Sequence, residues 1–418
     1  MKSLILLLLS CLVFISVNAQ DLPKNETDTL RKDAINVFME ADDFIKNEIQ
    51  FINYVRDIKV ADVYIITTDE TSGSGGEVKT FFIVGQGKYS GMADTLRCFS
   101  SPDETYDIRR AKAVKTLKLG LMRYVAKTPL AGFMDINFSK PMSQVVSSDK
   151  WNSWVYSASL NAYTQGQSTY NNGFLYGTLS ANRITEKSKF QSNVGMEIEK
   201  DRTTYSTSDG GDTTYKSTSK YEEADILYVK SIGKHWSAGL TTTLQASTYY
   251  NYDFSMKIAP GIEYDVFPYS ESTRRILTLL YQAGIEINNY TEETTRFKTE
   301  ETLGYQSLST SLSIIQKWGS VSGTLTWSNY FFDFSYYKLR FNTSASIRIF
   351  KGLSFNIYGN VAAVHDQISL PKGEASLEDV LLRRRMQKTD YSFYTSVGFT
   401  YTFGSIYNNV VNPRFGNF

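Results

Sequence analysis

The chain has 418 residues, 42% hydrophobic and 21% charged with only 8 proline, which excludes a disordered or collagen-like polymer and leaves room for two or three domains. A formal net charge of +1 offers no basic excess with which to hold a nucleic-acid backbone, so nucleic-acid partners are excluded. After residue 20 no apolar run is long enough to span a bilayer as a helix, which excludes a helical membrane protein but not a membrane β-barrel.

Lys2, the apolar stretches Leu4–Leu9 and Leu12–Val17, and the small-residue site Val17-Asn18-Ala19 are the parts of a secretory leader, expected to be cut after Ala19. A lipoprotein reading with Leu8-Leu9-Ser10-Cys11 as lipobox gives too short an apolar core, and that core continues past the cysteine. Loss of Cys11 leaves Cys98 alone, too little for an internal disulfide or a cysteine metal cluster.

Residues 20–135 read as a small α+β domain. Val37, Phe38, Phe44, Ile45, Ile49, Ile52 and Tyr54 recur at three- and four-residue spacing, which predicts one or two amphipathic helices between Asp33 and Arg56. The β-branched run Val60–Thr68, the glycine-rich Ser72–Gly76 and a second run Val78–Val84 predict a hairpin, with a third strand near Thr95–Phe99. Helical spacing returns over Asp103–Lys127 and stops before Pro129. The glycine cluster is not a phosphate cradle, because it leads into a strand and not into a helix N-terminus. Asp62, Asp69, Asp94 and Asp107 do not converge in spacing, so capping or solvated roles are expected of them and no catalytic pair. An interaction module is the expectation for this domain.

A connector over 136–150 carries Pro141 and a serine-rich stretch, and beyond it helical periodicity gives way to alternation. Candidate strands lie near 151–164, 171–183, 189–199, 220–231, 235–248, 254–266, 274–288, 303–316, 318–332, 338–349, 353–364 and 391–403. Each is near or above the roughly 9–11 residues that a tilted strand needs to cross a bilayer. In the last, Tyr391, Phe393, Val397, Phe399, Tyr401 and Phe403 oppose Ser392, Tyr394, Ser396, Gly398, Thr400 and Thr402. Leu339, Phe341, Ala345, Ile347 and Ile349 likewise oppose Arg340, Asn342, Ser344, Ser346 and Arg348. Connections at 184–188, 232–234, 316–319 and 350–352 are short, whereas 200–219, 289–302 and 365–390 are long and polar. This asymmetry is that of an outer-membrane barrel, and an even strand number returns both ends to the periplasmic side. A water-soluble sandwich also alternates but seldom supplies a dozen long strands. Pro260, inside a strand, predicts a bulge.

The inward face is expected to carry Glu197, Glu199, Glu223, Asp225, Lys257, Glu263, Asp265, Glu286, Arg340 and Arg348, charges of both signs that would line a channel or close it by ion pairing. Only two histidines exist. His235 lies beside a short turn. His365, next to Asp366 at the extracellular rim, is the one position for a lipid- or lipopolysaccharide-modifying hydrolase, the alternative to a non-enzymatic barrel. Neither a metal site nor a cofactor is expected. The loop 365–390 contains Ser376-Leu377-Glu378-Asp379 before Val380–Arg385, a capping-box start to a short helix at the barrel mouth; Arg383–Arg385 could alternatively meet lipopolysaccharide phosphates or fold inward.

The stretch Ser396-Val397-Gly398-Phe399-Thr400-Tyr401-Thr402-Phe403 resembles the signal by which the barrel-assembly machinery recognises its substrates, with Ser396, Gly398, Tyr401 and Phe403 as the matching positions. The barrel region is similar to the salt-induced outer-membrane protein family of unknown function. The segments 375–385 and 403–416 resemble a Bacteroidota version in which a small periplasmic domain precedes the barrel, with Phe51–Asp57 and Ala61-Asp62-Val63 as its matching stretch. That resemblance implies location and fold and carries no catalytic or ligand residue. The expectation is therefore a leader (1–19), a periplasmic α+β domain (20–135), a linker (136–150), an antiparallel transmembrane β-barrel of about 12 strands (151–403) and a periplasmic tail (404–418) in the cell outer membrane. Its expected partners are outer-membrane lipid and lipopolysaccharide, the barrel-assembly machinery and a periplasmic protein. Its expected role is envelope structure, periplasmic docking or small-solute passage.

Overall fold

A computed structural model describes residues 31, 33–72, 75–135, 149–206, 211–373 and 385–404. The expected leader, most of the linker, the capping-box segment 376–384 and most of the tail lie outside the described residues.

The first unit is a five-stranded sheet in the order β2-β1-β3-β4-β5, with β1 Asn36–Phe38, β2 Asn53–Tyr54, β3 Val63–Thr71, β4 Glu77–Gly85 and β5 Ala93–Ser100. Helix α1 (Asp43–Glu48) is capped by the Asp42 carboxylate, and helix α2 (Tyr106–Val125) by the Thr105 hydroxyl. The expected hairpin and long helix are present, but the helical reading of 33–56 is corrected. This stretch is strand, one and a half turns of helix, and strand, because β1 forms parallel ladders with both β2 and β3 that bury Val37 completely. Pairing with distant strands overrides a local periodicity of seven apolar positions. Leu117, Leu121 and Tyr124 on one face of α2 close the core over Ile65, Phe81 and Ile83. The four aspartates have local uses. Asp62 accepts the Asn36 N–H, Asp69 pairs with Lys79 at 2.7 Å, Asp94 with Arg123 at 2.7 Å, and Asp107 with Arg110.

The second unit is a twelve-stranded antiparallel sheet in which each strand pairs with its neighbour in sequence. Its strands are β6 Trp154–Gln167, β7 Tyr170–Ile184, β8 Ser188–Ser206, β9 Asp212–Ser231, β10 Trp236–Ser247, β11 Tyr252–Asp265, β12 Arg275–Tyr290, β13 Glu300–Gln316, β14 Gly319–Tyr330, β15 Tyr337–Phe350, β16 Leu353–Val364 and β17 Tyr391–Tyr401. All twelve expected strands are present. The expected long loop at 200–219 is instead mostly strand, with the β8–β9 register running on to Ser206↔Asp212. Threonine-rich alternation suits an extended chain, and Thr204 and Thr214 join hydroxyls at 2.9 Å across the pair. At Pro260 the register is unchanged. The β11–β12 ladder omits Ala259 and Pro260 and resumes at Gly261↔Gln282, so the missing N–H interrupts the ladder without inserting a residue.

The expectation of a closed barrel is met only as far as the sheet. Among the described residues β6 and β17 share no ladder. Every pair that forms is a hairpin between consecutive strands, whereas closure would join strands from opposite ends of the region, the pairing with the highest loop-closure cost.

Side chains sort sharply by face. Leu240, Ile262, Tyr281, Leu308, Leu325, Phe341, Val361 and Phe399 lie on one face and are exposed, and Leu160 on β6 is 72% exposed. The opposite face is rich in serine, threonine and asparagine and carries many of the charged residues, though Lys220, Glu222 and Lys230 of β9 stand on the apolar side. The small unit touches the sheet at its short-turn end. Arg348 lies over the Phe38 ring at 4.5 Å, Arg274 over Phe82 at 5.3 Å, and Lys351 is 3.6 Å from the Asp57 carboxylate.

Candidate functional site

Side chains alternate along each strand, so the ladder registers decide which residues share a face. Following them from β8 to β15 places all ten expected charges, Glu197, Glu199, Glu223, Asp225, Lys257, Glu263, Asp265, Glu286, Arg340 and Arg348, on the polar face. They do not form one cluster. Only Lys257 and Glu286 pair with each other, at 3.0 Å.

That pair is the centre of a buried network near the long-loop end. Glu286 is 1% exposed and accepts from Lys257, from the Tyr330 hydroxyl at 3.0 Å and from the Asn288 amide at 3.0 Å. A carboxylate taken out of water is costly unless such donors surround it, and three do. Next to it the Tyr290 hydroxyl donates to Glu301 at 2.7 Å, and Arg296 pairs with the same carboxylate at 3.0 Å while stacking on Phe332.

The cover over this network comes from the loop after β16. Ile368 is buried against Leu303 and Tyr330, on the polar face. Residues 368–372 form a strap joined to the β12–β13 loop. Thr294 bridges Pro371, the Thr295 N–H donates to the Leu370 carbonyl at 2.7 Å, and the Lys372 N–H donates to Glu293 at 2.8 Å. Asn251 clamps both segments. Its amide donates to the Glu292 carbonyl at 2.9 Å and the Ser369 carbonyl at 3.0 Å, while its side-chain oxygen accepts the Glu292 N–H at 2.8 Å. Asn251 takes a φ of 61°, a left-handed conformation that asparagine tolerates better than most residues. Sequence reasoning missed both Asn251 and the strap.

At the short-turn end Asp265 is fully buried and accepts the Phe267 and Leu277 N–H groups at 3.1 and 3.3 Å, fixing the β11–β12 turn. His235 serves the same corner, its Nδ1 lying 2.7 Å from the Asp265 carbonyl. His365 is exposed, with its ring against Tyr337 at 4.8 Å, and the adjacent Asp366 carboxylate is 3.7 Å from Lys338. Among the described residues no serine, threonine or cysteine hydrogen-bonds to the His365 ring. No group of three metal-ligating side chains occurs among them either.

Of the assembly-signal positions, Ser396 and Gly398 lie on the polar face of β17 and Tyr401 on the apolar face. Phe403 follows the strand and stacks on Tyr401 at 5.6 Å. The fold and site thus define a protein built on a wide antiparallel sheet that is apolar on one face and charged on the other. No family model matches the chain, and no curated protein matches it.

Proposed function

We propose that the chain is a non-enzymatic outer-membrane protein: the twelve-stranded sheet closes by pairing β6 with β17, its apolar face meets lipid, and the small unit lies in the periplasm. The observation that carries this reading is the exposed apolar face, continuous over twelve strands. Exposed apolar patches beyond a few hundred Å² mark interaction surfaces, and here every strand contributes. An even strand number also makes β6 and β17 antiparallel, as closure requires. The strap and the network beneath it close the extracellular end, so the protein acts as an anchored envelope component that meets its partners from the periplasmic side.

The test is reconstitution of the full chain, retaining Trp327 as its only tryptophan, in vesicles with brominated acyl chains. Trp327 lies on the apolar face, and strong quenching is the expected result; fluorescence indifferent to bromine would overturn the membrane reading. A small-solute pore is the second reading, favoured by the ten charges on the polar face. In planar bilayers the native chain should be silent, and Asn251→Ala, which frees the strap, should produce conductance steps. Open steps from the native chain would instead establish the pore.

A further inference from the structure

The polar face contains a second feature that the sealed network does not use, a cavity of about 410 Å³ toward the short-turn end, between β8 and β12. Its floor is bare. Gly239 and Gly261 stand opposite each other in the β10–β11 ladder, and Gln282 reaches over Gly261 to donate to the Thr241 hydroxyl at 2.9 Å. A Cβ on Gly261 would come within 2.7 Å of the Gln282 side chain, and one on Gly239 within 2.7 Å of the Tyr228 carbonyl. Glycine therefore permits the close packing: neither floor position contributes a side chain of its own, and Gln282 crosses over Gly261.

The walls are apolar, on a face that elsewhere carries many charged and hydroxyl side chains. Leu227 and Val229 on β9 and Leu280 on β12 point to the same side as the charges. One end is polar and organised. The Tyr269 hydroxyl donates to Glu263 Oε1 at 3.0 Å, Ser237 donates to the same oxygen at 3.3 Å, and the two hydroxyls are 3.1 Å apart. Glu286 and Glu301 pair with Lys257 and Arg296, but among the described residues no Lys or Arg forms an ion pair with Glu263. Lys189 lines the opposite wall, three strands and so roughly 14 Å away across the sheet. An oriented carboxylate at the end of an apolar trough is complementary to an ammonium group carrying an apolar body.

We propose that this cavity binds an organic cation, its ammonium on the Glu263 carboxylate and its apolar portion over the Gly239–Gly261 floor against Leu227, Val229 and Leu280. The proposal rests on the barrel reading, because closure of the sheet and the strap leave the short-turn end as the way in.

The experiment uses the full chain in detergent micelles with phenethylammonium as probe and phenethyl alcohol, its uncharged counterpart, as control, followed by saturation-transfer NMR and calorimetry. Binding of the ammonium at least tenfold tighter than the alcohol is expected, with that preference lost in Glu263→Gln. Gly261→Leu, which pushes the Gln282 side chain into the cavity, should weaken both probes. Equal binding of ammonium and alcohol, or undiminished ammonium binding by Glu263→Gln, would overturn the proposal. In parallel, the single-tryptophan chain in brominated vesicles is assayed for quenching of Trp327. Quenching without ammonium preference removes the site and leaves the barrel, whereas ammonium preference without quenching keeps the cavity and removes the membrane reading.

Discussion

The two units of the molecule distribute their side chains in opposite ways. In the small unit Val37, Ile83, Leu117 and Leu121 are inaccessible to solvent, and its carboxylates are spent at the surface in pairs such as Asp94 with Arg123. In the large sheet Leu240, Leu325, Phe341 and Phe399 are exposed, while Asp265, Glu286 and Asn288 are buried. The small unit is stabilised by removing apolar surface from water, about 25 cal/mol per Å². The sheet hides almost none of its apolar face within the chain, so what holds it together on its own is the continuous ladder and the buried polar network. The difference teaches that the same residue types are placed for different surroundings: water around the small unit and, on the function proposed above, an apolar medium beside the sheet.

The contrast can be broken most severely at Glu286. Replacement by alanine leaves the buried Tyr330 hydroxyl and Asn288 amide without their acceptor and the partly exposed Lys257 unpaired, and should cost about 3–5 kcal/mol, read as a lower temperature for the heat-modifiable shift in gel mobility. The double replacement Glu286→Leu with Lys257→Met should recover most of that loss; if it does not, the network does more than neutralise its own charges. A matched pair of substitutions sharpens the comparison at somewhat smaller scale. Leu117→Ala should destabilise the small unit by about 2–5 kcal/mol and raise the alkylation rate of the buried Cys98, leaving vesicle insertion unchanged. If the apolar face meets lipid as proposed, Leu325→Arg should do the reverse, costing about 2–4 kcal/mol in insertion while Cys98 stays protected. Identical responses from both variants would erase the distinction between the units.

The smallest expected effect concerns pH. Burial holds the Tyr124 phenol above its ordinary value of 10.0, with the Asp94 carboxylate adding to the shift and Arg123 opposing it. The unfolded chain releases this proton at lower pH than the folded one, so the contribution is complete below pH 10 and is lost as pH rises toward the folded value. Tyr124→Phe should cost about 1 kcal/mol at neutral pH, because the hydroxyl donates to the Ile83 and Met92 carbonyls. The variant should also show a shallower alkaline increase in Cys98 alkylation; Tyr54, likewise raised by burial, supplies the remaining slope.

Much of the large sheet was legible in the sequence. Leu339, Phe341 and Ile347 against Arg340, Asn342 and Arg348 announce a two-faced strand whatever its neighbours do, and in-step hairpin registers then put the ten charges on one face. Two strands that alternate poorly, β7 and β9, become intelligible only in place. Phe174 and Tyr176 stand on the polar face of β7, and Leu227 and Val229 on that of β9 line the cavity. In the small unit the spacing of Val37, Phe44 and Ile52 fits a helix as well as it fits two strands around a short helix, and only the ladder with Val63 decides between them.

The sequence by itself therefore determined the two-unit organisation, the twelve strands and the shared face of the ten charges named from it, because alternation and hairpin pairing are local properties of the chain. Tertiary structure alone decided which charges meet, that Ile368 and Ser369 cover Glu286 with Asn251 as their clamp, and that two glycines and three apolar side chains hollow out a cavity beside Glu263. Those contacts join residues far apart in the chain, and no local pattern encodes a distance between segments that only packing brings together.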